Sequence, residues 1–186
     1  MNIKQFVLYQ GAVGMAASMI FPFYILLLRD VGSSFSQFGW AYGLFALTSA
    51  LSFPFIGKFA DRIGDKQLLL VYSWGMAVLL ILFPLAYEIW HVYCLQIAMG
   101  LFGAIQKNSE KTVLARAVSK ERAGREIGNY HIWTSVAAAI AVIGTGYLVD
   151  FLTIGSIFYL ASLVFAWSGF FIMKAGSTES IKAGNL

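Results

Sequence analysis

Apolar residues run along this chain in six long stretches, 5–28, 37–56, 68–87, 90–115, 127–149 and 154–173, parted by short charged or turn-forming clusters. Each is close to the length of about 20 apolar residues that carries a helix across the hydrocarbon core of a bilayer. Such runs exceed ordinary strands, and lipid leaves an open sheet edge nothing to bond with. The pattern therefore predicts an all-α membrane protein of six transmembrane helices. Pro22, Pro54 and Pro84 fall inside or at the ends of these spans, where membrane helices tolerate them as kinks. The first run continues unbroken to Leu28, too long for a signal-peptide core. The six-helix domain is expected over 1–174, with 175–186 as a short flexible cytoplasmic tail.

Composition strengthens this reading, because 59% apolar and 12% charged residues in a chain of 186 exceed what one water-facing core absorbs. Charge adds the orientation. With the N-terminus inside, Lys4, Lys58, Arg62, Lys66, Arg116, Lys120, Arg122, Arg125, Lys174 and Lys182 all lie on the cytoplasmic side, and the external connections hold Arg29. Both termini are then cytoplasmic, in a multi-pass protein of the plasma membrane. Tyr87, Trp90 and Tyr93 cluster at the outer ends of the third and fourth spans, as an interfacial aromatic belt does. The net charge of +4 is a matter of topology and gives no reason to invoke nucleic acid.

The connections are too short for a soluble module, so a function inside the membrane is expected. Enzyme chemistry finds no support: His91 and His131 lie at opposite ends of their spans, and no serine, cysteine or carboxylate pair stands beside a base at one depth. Cys94 is the only cysteine, which excludes an internal disulfide. No cofactor is called for. Asp61 and Asp65 sit among lysines and arginines in a connection where solvated ion pairing is the expected role.

That connection reads Gly57-Lys58-Phe59-Ala60-Asp61-Arg62-Ile63-Gly64-Asp65-Lys66-Gln67. It resembles the signature G-x-x-x-D-R-x-G-[RK]-[RK] between the second and third helices of the major facilitator superfamily of secondary transporters. Gly100 to Gly128 resembles that family's passage from fourth to fifth helix, and Phe21-Pro22-Phe23-Tyr24 with Asp30, Gly32 and Gln37-Phe38-Gly39 its first external turn. The resemblance implies that Gly57, Asp61, Arg62, Gly64 and Lys66 form a conformational latch favouring the outward-open state. It also implies a pathway on the first, second, fourth and fifth spans, with the third and sixth peripheral. Physically, Gly57 is expected to let two helices approach closely, and Asp61 to sit at the dipole of the third helix. Gln96 stands where the family has its proton-linked arginine, and the Gly-Pro pairing of antiporters is missing after Gly144-Thr145-Gly146, so neither proton coupling nor drug antiport follows.

Members of the superfamily have twelve helices in two halves, with the substrate between them near the midplane. This chain resembles one N-terminal half. A parallel homodimer or a complementary six-helix half is the expected partner for moving a small solute by alternating access. A packing role without transport, or a piece of a longer transporter, is the alternative. Within the fourth span Gln96, Gly100, Gly103, Lys107, Glu110 and Lys111 fall within about 100° of one another, a polar stripe that cannot face lipid. Glu110 neutralises one lysine and leaves Lys107 as an anion-binding group; alternatively both lysines snorkel to the interface and pair with Glu110 there. Gln10 and Tyr24 share a face of the first span with Gly14, Ala17 and Phe21 and are candidate pathway residues, as is His131 in the fifth.

Overall fold

The apolar runs become helices whose ends are set by local chemistry. A computed structural model of the protein describes residues 3–31 and 34–183, so Gly32 and residues 184–186 lie outside the described residues. The helices are α1 (Ile3–Ile20), α2 (Tyr24–Asp30), α3 (Phe35–Ile63), α4 (Asp65–Leu82), α5 (Ile89–Ala117), α6 (Ala123–Val149) and α7 (Ile154–Ala183). Among the described residues there is no strand, and six spans are long and apolar enough to cross a membrane, α1 and α2 together making the first. The apolar part of α7 ends at Lys174, although its helical backbone continues to Ala183.

Pro22 opens a turn between α1 and α2, where the amide of Phe23 bonds the carbonyl of Ile20 at 3.1 Å. Pro84 lies in a 3-10 turn closing α4, whereas Pro54 sits inside α3 without interrupting it. The start of α3 is a capping box: the Gln37 amide donates to Ser34 Oγ at 3.3 Å, and the Ser34 amide donates to Gln37 Oε1 at 2.9 Å.

Packing follows an inverted repeat. α1 packs on α6 and α7, α5 packs equivalently on α3 and α4, and α4 and α7 join the two triplets. Small residues allow the closest approaches. A Cβ on Gly100 would stand 2.5 Å from the carbonyl oxygen of Phe45, and one on Gly75 would overlap the ring of Phe102. Buried hydroxyls tie the centre. Tyr9 donates to the Leu69 carbonyl at 3.0 Å and lies 2.8 Å from Ser73 Oγ, to which Ser168 donates at 3.2 Å, and Ser162 donates to the Ala77 carbonyl at 2.7 Å. α4 and α7 are the most buried spans, and α3 and α6 the least.

Candidate functional site: a cavity pair between α1 and α5

The central helices α1 and α5 face each other across two neighbouring cavities. The larger-walled one, of about 210 Å³, is lined by Ala17, Phe21 and Tyr24, by Phe38, Tyr42 and Phe45 of α3, and by Gln96, Gly103, Gln106 and Lys107 of α5. Tyr72, Met76 and Leu80 of α4 and Phe165 of α7 also line it, so the third and sixth spans, both expected at the periphery, reach this cavity. The second, of about 220 Å³, is lined by Gln10, Gly14, Glu110, Tyr130 and Thr134. Ala17, Tyr72 and Gln106 belong to both. The face proposed from spacing, Gln10 through Tyr24, thus turns wholly toward these two spaces.

A hydrogen-bond chain links the helices. Gln106 Nε2 donates to Gln10 Oε1 at 3.3 Å and to Glu110 Oε2 at 3.0 Å, and the Tyr130 hydroxyl donates to Glu110 Oε1 at 2.6 Å. Gln10 is 3% exposed, and its Nε2 and the Tyr24 hydroxyl are buried without a hydrogen-bond partner. In an apolar interior such groups cost free energy until water or a ligand satisfies them.

This corrects the expected charge pattern on α5. Glu110 pairs with neither lysine; its two oxygens accept instead from the neutral donors Gln106 and Tyr130. Lys107 and Lys111 are both exposed; Lys107 lines the first cavity, and Lys111 lines neither. Gly100 and Gly103 of the stripe serve the contact with α3 at Phe45. His131 is exposed, with its ring 5.2 Å from that of Tyr130, and lines neither cavity.

The signature segment is also rearranged. Residues 57–63 are the last two turns of α3, not a loop, and Gly64 alone breaks the chain, at φ 90°, before α4 begins at Asp65. An added Cβ on Gly57 meets nothing within 4 Å, so no helix of this chain approaches closely there. Asp61 and Arg62 are exposed on the closing turn of α3. The carboxylate at the start of the third span is Asp65, 7% exposed, where the helix dipole favours it, and Arg116 Nη1 meets its Oδ2 at 3.0 Å. Asp65 Oδ1 and Ser109 Oγ remain buried without partners. Lys66 is half-buried beside it.

Sequence reasoning missed Gln106, Tyr130 and the Asp65–Arg116 pair. Gln106 carries a legible signal, lying one helical turn before Glu110. Tyr130 and Arg116 are joined to their partners only by tertiary structure.

A multi-pass helical membrane unit with an internal cavity between paired helix triplets is the architecture of a transporter half. The chain belongs to the major facilitator superfamily, whose family model, described as Major Facilitator Superfamily, matches residues 6–183. Among similar proteins, the uncharacterized MFS-type transporter YitZ of Bacillus subtilis (strain 168) is 46% identical over 161 residues, covering 87% of this chain and 98% of YitZ. Multidrug resistance protein MdtG of Dickeya zeae (strain Ech586) is 30% identical over 156 residues, 81% of this chain and 38% of MdtG. The MdtG of Yersinia enterocolitica (strain NCTC 13174 / 8081) is likewise 30% identical, with 37% of its length covered. The chain thus spans nearly all of one relative and well under half of the others.

Proposed function

We propose that this chain is one half of a secondary transporter of the plasma membrane, moving a small amphipathic solute with an anionic group by alternating access. The observation that carries the reading is the cavity between α1, α3 and α5. Its walls are mainly aromatic and aliphatic, its polar groups include Gln96, Gln106, Lys107 and the Tyr24 hydroxyl, and exposed Phe21, Tyr42 and Lys107 leave it open on one side. Aromatic walls suit an apolar body, and a lysine with no carboxylate partner suits an acid. A second six-helix half completes the open side. Asp61 and Arg62 are exposed and make no ion pair among the described residues, which supports a latch partner in that second half. YitZ, itself an uncharacterized relative, is covered over nearly its whole length, and we take a second copy of this chain as the other half. The partial coverage of the MdtG relatives favours a second reading, in which the other half is a different six-helix segment.

Reconstitution tests this through uptake of a labelled aromatic carboxylate. Lys107→Gln keeps length and polarity while removing charge, and a lost charge-assisted hydrogen bond is worth about 1.5–3 kcal/mol. Apparent affinity is expected to fall on the order of ten- to a hundredfold. Unchanged flux and affinity in a folded Lys107→Gln variant would refute the anionic site. Absence of facilitated flux in every gradient would leave a packing role instead.

A further inference from the structure

A groove on the outer flank of the bundle has no part in the cavity pair. It lies where α6 and α7 diverge behind α1, whose contacts with both are far more extensive than theirs with each other. Its volume is about 580 Å³. Ile3, Val7, Gly11 and Met15 of α1 form its floor, one straight row at i, i+4 spacing, with Trp133 of α6 and Trp167 of α7 as walls. Gly11 deepens the row, since a Cβ there would meet nothing within 4 Å. Both tryptophans are more than half exposed.

We propose that this groove holds one acyl chain of an anionic phospholipid, with its phosphate at Lys4. Length supports a single lipid. Residues 3 to 15 of a helix span about 18 Å, close to one leaflet of a hydrocarbon core about 30 Å thick. The lining is apolar along its length and changes character at one end only, where Lys4 joins it. That end is the start of α1, and with an even number of spans it lies on the same side as the end of the sixth, where Lys174 stands. An acyl chain laid along the row from Met15 brings a headgroup to Lys4, the arrangement in which a basic residue attracts an acidic lipid. Trp133 and Trp167, set deeper in their spans than Lys4 in the first, wall the chain laterally.

The test is native mass spectrometry of the full chain in mild detergent, titrated with phosphatidylglycerol or phosphatidylcholine of matched chains. Retention of a first phosphatidylglycerol in preference to phosphatidylcholine is expected. Lys4→Gln should shrink that preference about fivefold, the worth of one lysine near an anionic headgroup. Gly11→Trp, whose ring enters the groove, should abolish the first binding step for both lipids while helical circular dichroism persists. In vesicles, quenching of tryptophan fluorescence by brominated-chain phosphatidylglycerol should fall in Trp133→Phe. Equal retention of the two lipids, or a first binding step that survives Gly11→Trp, would overturn the proposal. So would disulfide-linked pairs of Leu8→Cys chains lacking Cys94, which would place a second copy in the groove.

Discussion

At Asp65 and Arg116 the two partners of one ion pair stand in unequal surroundings. Asp65 is buried at the start of α4, whereas the Arg116 side chain is 65% exposed. Removing the arginine leaves a buried carboxylate whose other oxygen already lacks a partner, and removing the carboxylate returns the guanidinium to solvent. Arg116→Ala is therefore expected to cost about 1–3 kcal/mol of stability, and Asp65→Asn distinctly less. Thermal unfolding in detergent checks the order; equal losses would show that the pair is not carried by the burial of Asp65. From the sequence both residues look alike, solvated charges in a basic connection. The difference arises because Gly64 ends α3 so abruptly that Asp65 becomes the first residue of the next helix, and because Arg116 is brought to it from 51 positions along the chain. Glu110 teaches the same lesson: its lysine neighbours are legible, but Tyr130 arrives from another helix.

Helices were the most legible level, since an apolar run long enough to span lipid has few alternatives. Their ends and mutual approaches were less so. Pro22 and Pro54 read alike, yet one opens a turn and the other is absorbed within α3. Of Gly57 and Gly100, the sequence singles out Gly57 for a close helix approach and shows Gly100 as part of the polar stripe of α5. In the fold it is Gly100 that allows such an approach, because the backbone of Phe45 occupies the space its side chain would need, whereas nothing lies near Gly57. Backbone cannot step aside as a side-chain tip can. Gly100→Ala should consequently push α3 from α5 and destabilise by about 1–3 kcal/mol, the usual cost of overpacking. Gly57→Ala should leave the isolated chain no less stable, and up to about 1 kcal/mol more so, because alanine is the better helix former and its Cβ meets nothing there. Detergent melting of the two variants side by side measures this contrast, and similar losses would contradict it.

For the whole molecule, a sequence reading reaches the number of spans and the family, since both rest on local composition and one contiguous signature. What completes the cavity is a property of surfaces, and those the sequence does not display. The structure leaves α3 and α6 as the least buried spans and the end of α3 as an exposed turn carrying Asp61 and Arg62. In the proposed parallel homodimer this turn meets the partner's segment from Gly124 to Tyr130, where Arg125 and helix-start amides receive the carboxylate. Cysteine crosslinking in native membranes tests that claim most directly, with Asp61→Cys and Gly128→Cys introduced after Cys94→Ser. The account expects a disulfide-linked dimer that forms only when both cysteines are present. Bonds confined to single chains, or chains that stay monomeric in lipid, would contradict it.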